Sequence, residues 1–228
     1  MKTRSIRMLA ATSVLGMGLG VAGPSIVPAG ASPARRAVNI YTKTRCNQAI
    51  NERLFVLAIS EQRIAQVKRL TAEQKAAEIA GIDEVQAHLS DVNRPALNNA
   101  HTTSAVRTAC QAIYQDNRVY AVVIPQLFAS VRIDEFGNAF DRFDPMIAQK
   151  KADGADTTEV EALVASSKAH VDTAAGIVSS ITPDSFNADP AGTRARFDQT
   201  VGELNAALGD LLRGIVAYSH LTVTAPTA

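Results

Sequence analysis

The chain reads as an all-α protein, an elongated helical bundle, and three observations predict it. Apolar residues recur at spacings of three and four over most of the length. Helix-start chemistry stands at the head of several of these runs, as in Thr71-Ala72-Glu73-Gln74 and Asp189-Pro190. Composition agrees, since no Trp, 5% aromatic residues and abundant Ala suit helix-on-helix packing better than a sandwich or an α/β enzyme.

The first segment predicts the compartment. Met1 to Arg7 carries Lys2, Arg4 and Arg7, and Met8 to Val27 is apolar and uncharged but broken by Gly16, Gly18, Gly20, Gly23 and Pro24. Ala29-Gly30-Ala31 then supplies small residues ahead of Ser32, so residues 1–31 read as a signal peptide cleaved between Ala31 and Ser32. The rival reading is an uncleaved anchor, which wants about 20 predominantly apolar residues. Secretion, or residence in the cell envelope outside the cytoplasm, is the expected localisation, with no stable membrane insertion after cleavage. Removal of 1–31 takes 23 basic residues to 20 against 22 acidic, and neither sign clusters. That balance argues against nucleic acid and anionic membranes as partners.

Cys46 and Cys110 are the only cysteines, and in an exported chain an even pair reads as one disulfide. Two buried free thiols are the competing reading; a redox site would want the C-x-x-C spacing that this chain lacks.

Residues 32–45, rich in Pro, Arg and Ala, read as a flexible arm. Ile50, Leu54, Leu57, Ile64 and Val67 then define one face of a first helix, with Glu52, Arg53, Glu61 and Arg63 on others. A second helix follows the Thr71–Gln74 capping box through Ile79, Ile82 and Leu89, antiparallel to the first because the link is short. Asp91 to Thr103, with Asn93, Pro95, Asn98 and Asn99, reads as a connection, and a third helix starts near Ser104. An up-down-up order brings Cys46 and Cys110 to the same end.

From Val119 through Val122, Gln126, Ala129, Ile133, Phe136, Phe140, Phe143 and Ile147 one face persists. Pro125 interrupts it, and the preserved register favours a kinked continuous helix over a break. A helix over 104–150 would be about 70 Å long. Arg118-Val119-Tyr120-Ala121-Val122-Val123-Ile124-Pro125-Gln126 resembles a stretch in uncharacterised, exported, helix-rich proteins of high-GC Gram-positive bacteria. The resemblance covers this segment and the helical layout around it, and it implies no established activity. Arg118 and Tyr120 read first as packing at a junction, second as partner contacts.

Thr158 and Glu161 suggest a capping box for a helix through Val160, Val164, Val171, Ala174, Val178 and Ile181, ended by Pro183. Asp189-Pro190 opens the last helix, whose Phe197, Val201, Leu204, Leu208, Leu211, Ile215 and Tyr218 alternate four and three. Gly202 and Gly209 beside that seam would admit a close neighbour. The predicted organisation is two three-helix units, 46–118 and 119–221, with a long kinked central helix as the element they would share, and a flexible tail, 222–228.

Chemistry is sparse. His88, His101, His170 and His220 lack the spacing that sets two ligands on one helical face, and Glu84–His88 and His170–Asp172 read as solvated surface. The acids of 134–144, with Asp153 and Asp156, do not follow a calcium-loop pattern and read as the wet face opposite Phe136, Phe140 and Phe143. Neither a nucleophile elbow nor a phosphate-cradling loop occurs. No catalytic, metal or cofactor residue is therefore assigned. The expected role is non-enzymatic: an exported helical interaction or envelope-associated protein whose partner is an unknown protein or cell-envelope component. Periodicity alone leaves a homo-oligomer open, because a seam can be internal or intermolecular. The alternative is an extracytoplasmic carrier of a small apolar ligand or haem, suggested by Phe128, Phe136, Phe140, Phe143 and Tyr120.

Overall fold

A computed structural model describes residues 42–222. The signal segment, the Ala31–Ser32 cleavage point, nearly all of the arm and the last residues of the tail lie outside the described residues. Among those described, the elements are helices without strands: α1 (Lys43–Gln66), α2 (Ala72–Ala87), α3 (Arg94–Asn98), α4 (Thr103–Gln115), α5 (Ile124–Ala152), α6 (Thr158–Ser179), α7 (Pro183–Ala188) and α8 (Pro190–Ser219). Wide π-turns at His88–Asn93 and Val119–Val123 lead into α3 and α5.

Local chemistry explains most starts. Thr42 Oγ1 accepts from Arg45 N at 3.3 Å, so α1 opens three residues before Cys46. Thr71 and Gln74 form the reciprocal capping box expected for α2. Asp189 Oδ1 accepts from Gly192 N at 2.9 Å with Pro190 in the first turn of α8. The cap of α6 differs from expectation. Thr157 occupies the cap, Asp156 Oδ1 accepts from Thr158 N, and the Thr157 hydroxyl donates to Glu161, so the acid bonds a side chain rather than a free backbone N–H.

Two corrections concern the middle of the chain. Residues 91–98 are not an open connection but the end of a π-turn followed by α3, and only 99–102 remain as a link to α4. Nor is 104–150 one helix: α4 stops at Gln115, and Arg118 adopts a left-handed φ of 44°. The continuous register from Val119 to Ile147 does survive the proline, because the turn ahead of it widens. Ile124 N bonds Val119 O, five residues back, and Arg94 N likewise bonds Leu89 O ahead of Pro95. A proline ring clashes with the carbonyl four residues before it, and a wide turn displaces that carbonyl.

The break at Asp116–Arg118 is held by tertiary bonds. Asn117, 7% exposed, places its amide 3.0 Å from His88 Nδ1 and donates to Asn93 Oδ1 at 3.2 Å, while Asn93 donates to Asp116. Arg118 Nε donates to Asn187 Oδ1 at 2.6 Å and its guanidinium lies over Phe186, and Asn187 donates in turn to Gln115 O at the end of α4. These bonds offset the roughly 1–2 kcal/mol that a left-handed non-glycine residue costs.

Two main cores result. Ile50, Leu57, Ile64, Ile82, Leu89 and Ile113 fill the first, into which α5 sends Leu127 and Val131. Phe136, Phe140, Phe143 and Ile147 of the same helix fill the second with Val160, Val164, Val171, Leu204 and Leu211. A smaller cluster of Val122, Ile181 and Phe186 sits at the junction. Helix α5 is thus common to both cores, and Asn138 ties its middle to Arg69 O and Gln74 at 2.7 Å. Cys46 and Cys110 are bonded, with Cα atoms 5.6 Å apart, and join α1 to α4.

With 64 residues separating the cysteines, removal of the bond is expected to cost about 4 kcal/mol on the chain-entropy account. At this chain length that is a fall in Tm of roughly 8–16 °C. Circular dichroism melts with and without reductant measure it, and superimposable curves would remove the disulfide from the fold's support. Asn117→Ala should cost about 1–3 kcal/mol in urea unfolding, because it strands Asn93 and His88 without their buried partner.

Candidate functional site

The last helix departs from its predicted seam in a way that creates a surface. Its buried face is Thr193, Thr200, Leu204, Ala207, Leu211 and Gly214. Small residues allow close approach: Ser167, fully buried on α6, donates to Ala207 O at 2.8 Å, and a Cβ at Gly214 would meet Leu163, Val164 and Phe143 at 3.6–3.8 Å. Helix α8 therefore turns its small side toward α6. Of the predicted seam, Leu204 and Leu211 are buried, but Val201, Leu208 and Ile215 face outward, with Leu212 and Val216, all between 38% and 57% exposed. Among the described residues, beyond the helix's own adjacent backbone, nothing lies within 4 Å of a Cβ built at Gly202 or Gly209.

Grooves flank this ridge. A cleft of about 610 Å³ separates it from α6, lined by Leu163, Leu212, Val216 and Leu221 among others. A second, of about 380 Å³, lies against α5 beside Ala139, Met146 and Ile215.

Polar clusters that sequence spacing does not reveal lie elsewhere. His170 stands between two carboxylates of α8, with Nδ1 2.6 Å from Glu203 Oε2 and Nε2 3.8 Å from Asp210 Oδ2. Asp210 also bonds Arg213, and its pKa is held low by the hydroxyl of Ser166 first, then by Arg213 and the charge of His170. The arrangement pins α6 to α8. Arg53, expected on a wet face, is buried instead: Nη1 donates to Ala49 O at 2.9 Å, and the guanidinium lies 4.4 Å from the Tyr114 ring centroid and 5.3 Å from that of Tyr120. Burial lowers its pKa.

The remaining candidates are scattered. Tyr120 covers Arg53 and Arg118 covers Phe186, so both serve the junction. His88 belongs to the buried amide cluster, and His101 and His220 are exposed. Phe136 stacks on Phe140 at 6.1 Å, Phe143 meets Tyr218 edge-on at 5.3 Å, and Phe128 is exposed; they do not converge on one cavity with Tyr120. Among the described residues, no three His, Cys, Asp or Glu side chains converge as metal ligands, and no helix is long and apolar enough to cross a membrane.

A third cleft, of about 510 Å³, opens between α2, α5 and α6 and contains Glu78, Gln126, Ser130 and Asp134. Gln126 spans its floor, donating to Val178 O and Ile181 O at the end of α6. Burial, and secondarily the neighbouring Asp134, pushes Glu78 up to about 7, while burial alone raises Asp134.

Compared with known protein families, curated proteins and solved structures, the chain matches none.

For an acid whose folded pKa is raised, the folded state holds the proton more tightly than the unfolded chain. The contribution of Glu78 to stability is whole below its unfolded value of 4.5 and declines as pH rises through about 7. Glu78→Gln should raise Tm at pH 8 and leave it unchanged at pH 4, as a pH series of thermal melts would read. Equal effects at both values would mean that the acid sits there without a cost of ionisation.

Proposed function

We propose that this chain is an exported, non-enzymatic helical interaction protein of the cell envelope, and that its docking element is the open face of α8. One observation carries the reading: from Val201 to Ser219 the outward side of a helix packed at its back presents five large apolar residues, with the exposed guanidinium of Arg213 beside them. Soluble monomers rarely leave contiguous apolar patches beyond a few hundred Å² uncovered, and larger ones mark interaction sites. The helices behind the face hold it rigid, so a partner meets an ordered surface and loses little to its ordering. A disulfide in the first unit suits an oxidising compartment and supports export. The carrier reading has no comparable support, because Phe136, Phe140 and Phe143 are spent on the second core.

A photo-crosslinking amino acid at Leu212, expressed in intact cells of the native host, is expected to capture a protein or wall component. The same group at exposed Glu84 should not, and the recovered chain should begin at Ser32. Capture at Leu212 no greater than at Glu84 would end the docking proposal, and a chain retaining residues 1–31 would end the export proposal.

A further inference from the structure

Helix α2 is the least buried of the long helices. Of its 16 residues only Ile82 is buried, whereas α1, α5, α6 and α8 bury six or seven each. A segment that buries so little opens at a lower cost than the fold as a whole. Two fastenings hold α2 at its ends. Asn138 of α5 donates to Gln74 Oε1 and Arg69 O at its start, and beyond its last residue His88 joins the buried amide cluster of Asn117. Between these points the helix roofs the cleft of about 510 Å³ that it shares with α5 and α6.

The contact at the start of α2 fixes what comes next along the seam. Residues four apart share a helix face, so one turn on from Gln74 on α2 is Glu78, and one turn back from Asn138 on α5 is Asp134. Both carboxylates line the cleft, and its lining holds no basic side chain. Lys75, the nearest cation on α2, is turned away and donates to Ala65 O at 3.1 Å. The wide turn before α5 contributes Val123, and α6 contributes Ala175, Val178 and Ser179, all uncharged; neither α1 nor its link to α2 places a charge there. Burial first, then the neighbouring Asp134, pushes the Glu78 carboxyl up to about 7. Once both acids are ionised they repel across the seam, and each recovers its hydration if the helices part.

We propose that α2 is a pH-responsive flap over this cleft, closed on α5 while Glu78 carries a proton and lifted from it when Glu78 and Asp134 are both ionised. The Asn138–Gln74 contact is its latch, one turn from the acidic pair on both helices, and the amide cluster at His88 is its fixed end. The closed flap holds the Glu78 proton more tightly than the open one. Closure is therefore whole below the ordinary carboxyl value of 4.5 and is lost as pH rises through about 7. Lifting uncovers the seam between the two cores while the disulfide keeps α1 on α4. The device lies away from α8 and is independent of the docking reading.

Amide hydrogen exchange of the chain with its disulfide formed, read by peptide at pH 5 and pH 8 and corrected for the intrinsic effect of pH, tests it. Protection over α2 should fall by roughly tenfold or more at pH 8, while peptides of α6 and α8 keep theirs. Glu78→Gln should hold α2 equally protected at both pH values. Asp134→Asn should shrink the change without removing it, because burial still acts on Glu78. Asn138→Ala, which removes the latch and no charge, should lower the protection of α2 at both pH values and leave its pH dependence in place. Equal protection of α2 at pH 5 and pH 8 overturns the flap. So does a loss shared equally by α2, α6 and α8, which is destabilisation of the whole fold, or a loss over α2 that persists undiminished in Glu78→Gln.

Discussion

The chain's turn at Asp116–Arg118 determines where everything after it lies. A buried amide, Asn117, is shared by His88 and Asn93, and Asn93 reaches Asp116, so the end of α4 is locked to the π-turn that follows α2. Four polar side chains from two distant segments satisfy one another in a place where an unmade bond would cost about 1–3 kcal/mol. The chain resumes at Val119 in a new direction, and α5 then crosses from the first core to the second. Because one helix serves both cores, the two halves of the protein are not independent packages. A disturbance at the turn would be felt by Leu127 and Phe136 alike.

The helix ends at this junction are closed by side chains from elsewhere. Asn187 of α7 bonds the last carbonyl region of α4, and Gln126 of α5 bonds Val178 and Ile181 at the end of α6. Such bonds answer the unpaired carbonyls that every helix leaves at its C-terminus. They also explain why short α7 is ordered: Phe186 is buried beneath Arg118, and Asn187 is held on both sides. Against this tightly closed junction, the outer side of α8 stands apart. Its back is packed through Ser167, Thr200, Ala207 and Gly214, whose small volume lets α6 and α8 come close, and its larger apolar residues are left outside.

Charge placement follows the same division between near and far in sequence. Asp156 is held low by hydrogen bonds from Thr158, two positions away. By contrast, Glu78 with Asp134, His170 with Glu203 and Arg53 with Tyr114 unite residues from different helices. Spacing within one helix cannot reveal those partners, which is why Arg53 and His170 read as surface residues when only their own helices are considered.

What the sequence determined by itself is what short-range physics controls. Periodicity near 3.6, the Thr71–Gln74 and Asp189–Pro190 starts, and the faces of α5 and α6 were legible because capping and amphipathicity act within a turn or two. The pairing of Cys46 with Cys110 was legible because only two cysteines exist. Tertiary structure alone decided the break after Gln115, whose left-handed Arg118 is tolerated only because Asn117 and Asn187 find partners across the fold. It alone decided, too, which side of α8 is inside. Periodicity marks a helix with two candidate faces, and the choice between them depends on how closely a neighbour can approach, a property of the paired surfaces rather than of either strip of sequence.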